Sequence, residues 1–269
     1  MIVQPAIEAE NLNRTFRRGS WLSGGDEIVA VRDATFRVAR GETLAIVGES
    51  GSGKSTIARM LVGLDRPTRG TIRLEGQDLS TLTGRDRRML GRRIQYVFQD
   101  PVASLNPRHR IGDILGSTLA GVAAMAGRAA RRARMEELLH HVGLEAESLQ
   151  RYPHEFSGGQ AQRIAIARAL AAEARIIVLD EPVSALDVSV QAQVLLLLDR
   201  LKAEFDLTYV FISHDLAVVE AISDRVMVMQ GGEIVETGSA EGLFAAPRAA
   251  YTRSLLASAP RLDRASETL

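Results

Sequence analysis

Eight consecutive residues, Gly48-Glu49-Ser50-Gly51-Ser52-Gly53-Lys54-Ser55, have the spacing G-x-x-x-x-G-K-S of a phosphate-binding loop. Glycine lets the backbone turn tightly, so successive N–H groups converge on one concavity. A helix opening at the end of the loop adds the positive potential of its unpaired amides. Lys54 is then placed to reach the β and γ phosphates of a nucleotide. The Ser55 hydroxyl becomes a ligand for Mg2+, and Thr56 continues the first helical turn. Of the 33 basic residues only two are lysines, Lys54 and Lys202. A chain that otherwise relies on arginine puts a compact ammonium, not a wide planar guanidinium, into this loop, which suits a narrow cradle. The loop alone is compatible with kinases, GTPases, helicases, transporters and repair ATPases.

A second group narrows the chemistry. Ile176-Ile177-Val178-Leu179-Asp180-Glu181 reads as a buried strand ending in two carboxylates. In an open α/β sheet, ligands bind beyond the carboxyl ends of the strands, which sets this pair beside the nucleotide. Asp180 suits the water shell of Mg2+. Glu181 suits the general base that polarises an attacking water. A third group is Phe156-Ser157-Gly158-Gly159-Gln160, followed by helical spacing at Ile164, Ile166, Ala167 and Leu170. Ser157 is the expected N-cap, and the amides of Gly158 and Gly159 offer a second anion site. Two anion sites and one nucleotide loop can close on the same phosphate only if two copies face each other.

The elements that must position these groups alternate between strand and helix, which predicts an α/β fold. Thr43–Val47 is a strand running into the glycines, and residues 54–64 have helical spacing at Ile57, Met60, Leu61 and Leu64. Residues 66–70 read as a turn, and residues 71–74 and 94–98 as short strands. The basic run Arg85, Arg87, Arg88, Arg92 and Arg93 between them reads as a solvated face rather than a nucleic-acid patch. From Ile111 to about Gln150 strand patterns vanish, and a helical insert with a helix over 128–141 is expected. Further strands are expected over 176–179, 209–212 and 226–229, with helices over 188–205 and 215–222. The turn Gln230-Gly231-Gly232 leads into a hairpin strand over 233–236, and short helices and a frayed tail follow.

Composition bounds the function classes. The 269 residues are 46% hydrophobic, enough for a substantial core. Acidic and basic residues balance at 33 each, which argues against a dedicated nucleic-acid surface. The absence of cysteine excludes disulfides, thiolate zinc sites and cysteine-ligated clusters. The first residues, Met1-Ile2-Val3-Gln4-Pro5, lack the features of a signal peptide, and no run of 18 apolar residues predicts a membrane span.

With these motifs in this order, the chain resembles the ATP-binding cassette (ABC) ATPases over nearly its whole length. Residues 156–160 resemble the LSGGQ signature, with Phe156 in place of Leu. Phe16 resembles the aromatic residue that stacks on adenine, and Gln99 the Q-loop glutamine. Ser184-Ala185-Leu186-Asp187 resembles the D-loop, and His214 the switch histidine. The resemblance implies a P-loop NTPase (RecA-like) core with an N-terminal antiparallel β subdomain and an inserted α-helical subdomain. It implies one domain over 1–269, with the core and β subdomain at 1–100 and 165–240, the insert at 101–164 and a helical tail at 241–269. ATP and Mg2+ are the implied cofactors. Residues 48–56 and Phe16 would bind ATP, Ser157, Gly158, Gly159 and Gln160 would bind it from a partner, and Ser55, Gln99 and Asp180 would hold Mg2+. Glu181, His214 and Gln99 would carry the catalysis.

The stretch from Gln99 to Arg108, the run Tyr152-Pro153-His154-Glu155, and the end of the chain with Glu236, Pro247 and Tyr251-Thr252 are similar to cassettes of oligopeptide, dipeptide and nickel importers. The long link from Phe16 to Ile28, with Trp21 inside, fits the same group. The implied partners are a second cassette, two membrane permease subunits and an extracytoplasmic solute-binding protein, without nucleic acid. The implied location is peripheral, on the cytoplasmic face of the membrane. Some members carry cysteines for an iron–sulfur cluster, which this chain lacks, and no long regulatory tail is expected after Pro260. Peptides are the first solute class expected, with nickel, glutathione-like and peptide-antibiotic substrates open. A repair or translation ATPase and an accessory ATPase of phosphonate degradation are the rival readings.

Overall fold

The computed structural model describes residues 4–18, 26–83, 86 and 89–258. Trp21, Arg85, Arg87, Arg88 and the tail 259–269 with Pro260 lie outside the described residues. Two sheets organise the described residues. The smaller holds β1 (Ile7–Arg18), β2 (Asp26–Val38), β4 (Arg69–Leu74) and β5 (Gln77–Asp78), antiparallel throughout, in the order β2-β1-β4-β5. The larger holds β3 (Thr43–Val47), β6 (Ile94–Val97), β7 (Ile176–Asp180), β8 (Thr208–Ile212), β9 (Arg225–Gln230) and β10 (Glu233–Ser239). Its order is β10-β9-β3-β8-β7-β6, parallel except for the hairpin that adds β10 at one edge.

The central strands β3 and β8 are buried at every residue, as expected for a parallel sheet covered on both faces. Side chains alternate between the faces. Ile46, Val178, Ile212 and Tyr96 turn toward α1 (Lys54–Leu61) and the antiparallel sheet. Val97, Ile177, Leu179 and Phe211 turn toward a second core. That core is completed by α4 (Gly158–Ala171) and α5 (Val188–Phe205), with α2 (Ile111–Gly121) and α3 (Arg128–His141) packed on α4. After β8 come α6 (Leu216–Ile222), then α7 (Ala240–Ala245) and α8 (Ala250–Ser258) beyond β10. Among the described residues no helix is long and apolar enough to cross a membrane.

Most strand and helix ends fall within a few residues of the sequence reading, and three differences bear on the packing. α1 stops at Leu61 rather than 64, because Gly63 takes φ +73° and the amides of Leu64 and Asp65 turn back to the Arg59 carbonyl at 2.9 and 3.1 Å. Leu64 is left 57% exposed, so its helical spacing marks no buried face. β4 begins at Arg69, inside the expected turn. The expected limit between insert and core at 164/165 falls in the middle of α4, which belongs to one continuous helix.

Candidate active site

The phosphate loop leaves β3 at Val47 and enters α1 at Lys54. Gly53 is the N-cap of α1, with φ +103°, and a Cβ there would lie 2.5 Å from the Ala30 carbonyl oxygen of β2. Only glycine meets both conditions at low cost. The loop is held from the β9–β10 turn, where the Gly232 amide donates to the Ser52 carbonyl at 3.1 Å. No side chain caps α1, so the amides of Lys54, Ser55 and Thr56 have no partner within the helix. An uncapped helix start behind a glycine loop is a cradle for an anion, and a triphosphate fits it.

Lys54 is 6% exposed, and its ammonium donates to the carbonyls of Gly48 and Glu49, both at 2.7 Å. Burial lowers its pKa from the ordinary value, while the nearby charges of Glu181 and Asp180 act against that shift. Beside it, the Ser55 hydroxyl donates to Asp180 Oδ1 at 3.2 Å. Two hard oxygens this close suit Mg2+, which takes one or two protein oxygens and completes its shell with phosphates and water. Among the described residues no cluster of three or more His, Cys, Asp or Glu side chains is present to hold a metal without a nucleotide.

Glu181 follows at the end of β7. Its φ of +47° is left-handed, a strained conformation for a non-glycine residue, and its amide is tied to the Ile212 carbonyl at 2.9 Å. Two side chains grip its carboxylate. Gln99 Nε2 donates to Oε2 at 2.8 Å, and His214 Nδ1 lies 3.2 Å from Oε1. Gln99 comes from just beyond β6 and His214 from just beyond β8, so three adjacent strand ends deliver the trio.

Phe16 stands farther out. It pairs with Ile28, two residues along β2 from Ala30, whose carbonyl oxygen backs Gly53. Its ring is 36% exposed, and the Arg14 guanidinium lies 4.3 Å from the ring centroid.

Ser157 to Gln160 start α4, in the other core. Ser157 Oγ accepts from the Gln160 amide at 3.3 Å, and the Gln160 side chain accepts from the Ser157 amide at 3.1 Å. This capping box leaves the Gly158 and Gly159 amides without a partner in the helix. Both glycines abut the segment after β7, where a Cβ on Gly158 would meet Leu186 at 3.3 Å and one on Gly159 would overlap Val190. Asp187 caps α5 by accepting from the Val190 amide and the Ser189 hydroxyl, each at 3.0 Å. The first of these bonds is the main cause of its lowered pKa.

The structure therefore brings Gly48–Thr56, Asp180, Glu181, Gln99 and His214 to one end of the sheet and leaves Ser157–Gln160 in a separate surface segment. The sequence profile of the ABC transporter family matches residues 31–184. The chain belongs to the ABC transporter family. Its relatives include a putative peptide import ATP-binding protein of Brucella ovis, 51% identical over 236 residues, covering 88% of this chain and 74% of the relative. An oligopeptide transport ATP-binding protein of Streptococcus mutans is 45% identical over 257 residues, covering 96% and 82%. Among solved structures, a dimeric ATP-binding cassette in a post-hydrolysis state with ADP and Pi aligns with a TM-score of 0.77 and 29% identity, over 87% of this chain and 98% of that one. The cbiO1 protein of Clostridium perfringens, part of an ABC transporter complex, aligns with a TM-score of 0.77 and 27% identity, over 90% and 92%. The cassette is thus an ABC ATPase with the α/β architecture of its family.

Two tyrosines at the site escaped the sequence reading as site residues. Tyr96, on β6, donates its hydroxyl to Asp180 Oδ2 at 2.5 Å. Burial, then the hydrogen bond and charge of Asp180, push its pKa far up, so the phenol stays protonated. Tyr251, on α8, accepts from the Glu49 amide of the phosphate loop at 3.1 Å. Strand parity relative to Asp180 is a signal that could have found Tyr96. Tyr251 lies 202 positions from Glu49, and no local pattern marks it.

Proposed function

We propose that this cassette hydrolyses ATP to drive import of di- and oligopeptides through separate membrane permease subunits. The observation that carries the reading is the meeting of Lys54, Ser55, Asp180, Glu181, Gln99 and His214 at one end of the sheet. Similarity to relatives named for peptide import supports the solute class.

The residues have separable roles. Lys54 leaves its two loop carbonyls to neutralise the β and γ phosphates, and the amides at the start of α1 hold their oxygens. Ser55, Asp180 and Gln99 are the groups that would hold Mg2+, which supplies charge neutralisation at the phosphates. Glu181 accepts a proton from the attacking water. His214 and Gln99 fix its carboxylate now, and both are free to turn toward the γ-phosphate once it arrives. Phe16 offers an aromatic face to adenine, backed by Arg14.

The site is completed from outside. Ser157, Gly158, Gly159 and Gln160 of a second cassette would close over the γ-phosphate and exclude water. Arg168 of α4 donates to the Ser104 carbonyl at 2.7 Å, so the signature helix is tied to the loop that follows Gln99. That tie offers a route for closure to reach the helical segment, where a groove lined by Arg110, Arg128, Arg131 and Arg132 is open to a permease. Mg2+, the solute-binding protein and attachment to the cytoplasmic face of the membrane belong to the same proposal.

The test is purification of the intact complex with its permeases, followed by ATPase assay with and without the solute-binding protein loaded with peptides. Stimulation by peptide supports the reading. A complex without membrane subunits overturns it.

A further inference from the structure

Besides Ser55, Asp180 has a second close side-chain partner, the phenol of Tyr96. Tyr96 on β6 and Val178 on β7 are register partners in neighbouring parallel strands. Side chains two residues apart on a strand share a face, so Asp180 lies on the face of Tyr96, one diagonal step beyond Val178. The long phenol spans that diagonal, and its hydroxyl meets Asp180 Oδ2 at 2.5 Å. The ring is 9% exposed, and its centroid lies 4.5 Å from that of Phe98. Packing thus fixes the ring, and the ring fixes where the hydroxyl points.

The two carboxylate oxygens consequently face different partners. Oδ2 is held from the β6 side by Tyr96, and Oδ1 is turned to Ser55 at 3.2 Å. The last torsion of an aspartate is broad, so a carboxylate without such a partner samples a wide arc. We propose that Tyr96 is a positioning residue for the metal, locking the Asp180 carboxylate so that Oδ1 is presented beside Ser55. This rests on the reading of Asp180 as the metal-side acid. Hydrogen-bond partners behind a ligand orient it, and their loss typically weakens metal binding by about 10- to 100-fold.

Tyr96→Phe keeps the ring and removes only the hydroxyl. The full-length chain carrying a non-hydrolysable ATP analogue is titrated with Mn2+ and followed by electron paramagnetic resonance, which needs no turnover. The expected result is a Mn2+ dissociation constant raised about 10-fold in Tyr96→Phe, with metal-free affinity for the analogue unchanged. Because Tyr96 acts through Asp180, Tyr96→Phe should add nothing in an Asp180→Asn background. If Asp180→Asn weakens Mn2+ binding and Tyr96→Phe does not, the role of Tyr96 is overturned while that of Asp180 stands. A lowered melting temperature with unchanged Mn2+ affinity makes Tyr96 a packing residue and also overturns the proposal. If Asp180→Asn itself leaves Mn2+ affinity unchanged, the underlying assignment of Asp180 fails.

Discussion

His214 Nδ1 lies 3.2 Å from Glu181 Oε1, and this pair joins the ends of β8 and β7 across the reacting edge of the sheet. With Gln99 on the other oxygen, Glu181 is aimed before any nucleotide arrives. Glu181→Gln keeps the shape and both neighbours but cannot take a proton. Its expected phosphate release is slower by about 10²- to 10⁴-fold, the usual contribution of a general base. ATP affinity and ATP-dependent dimer formation, read by size-exclusion chromatography, should persist. Normal turnover in this variant would remove Glu181 from the role of base. His214→Ala should lower kcat more than it raises KM, since it loosens the base and removes one contact to the γ-phosphate while leaving the phosphate loop intact.

Lys54 gives the second prediction. Its ammonium already sits on two loop carbonyls at 2.7 Å, in a space that leaves it 6% exposed. Lys54→Ala removes the only side-chain cation of the loop, and fluorescent-nucleotide titration should show ATP binding weaker by at least about tenfold, a loss of about 1.4 kcal/mol. Lys54→Arg is the sharper test. A guanidinium keeps the charge but is wider and planar, so it should not restore binding. Full activity in the arginine variant would show that charge alone matters here.

Gly159 gives a third. An added Cβ would overlap a γ-methyl of Val190, so Gly159→Ala must turn that side chain or shift α5 against the start of α4. Overpacking of this kind costs about 1–3 kcal/mol and should lower the melting temperature. Adding Val190→Ala makes room and should recover most of the loss. ATPase activity tests more than packing: if the amides of Gly158 and Gly159 serve a partner's nucleotide, activity should recover together with the melting temperature. Recovery of stability alone would mean that the dimer needs Gly159 bare of a side chain, for close approach across the interface.

The core of this site was legible because its determinants are local. A glycine run, an apolar strand ending in two acids and a Ser-Gly-Gly helix start each fit within a few residues, and the parallel strands read as unbroken apolar runs. The β1–β2 pairing was not legible from residue pattern. Its register shifts between Ala9 and Leu12 and again near Arg14, and Asn11 takes φ +49°, so the two-residue alternation breaks. The antiparallel subdomain came from the family resemblance instead. The scarcity of lysine was a useful pointer to Lys54, but Lys202 limits it. That lysine pairs with Asp224 at 2.6 Å, and Asp224 also receives the Thr43 amide at the start of β3. One of the two lysines therefore braces the sheet. Tyr96 and Tyr251 needed the fold, because each reaches its partner across a large sequence separation.

Tyr251 leads to a prediction about pH. Glu236 on β10 accepts from the amides of Arg248 and Ala249 at 2.8 and 3.0 Å, just before α8 begins. That clamp delivers Tyr251 to the Glu49 amide of the phosphate loop. Burial raises the Glu236 pKa, but its neighbours Thr252, Arg248 and Ala249 more than offset this, and the pKa lies below the ordinary 4.5. A depressed acid stabilises the folded arrangement above its unfolded pKa, and the contribution is lost as pH falls through the folded value. Docking of α8 should therefore hold at neutral pH and weaken only below about pH 4.5. Amide exchange over 248–258, corrected for intrinsic rates, should rise in that range. Glu236→Gln should show the faster exchange already at pH 7, because its neutral amide is a weaker acceptor by about 1 kcal/mol. It should also raise exchange at Glu49, since the Tyr251 contact depends on the clamp. Protection at Glu49 that is indifferent to Glu236 would show that Tyr251 is placed by the apolar packing of α8 rather than by this carboxylate.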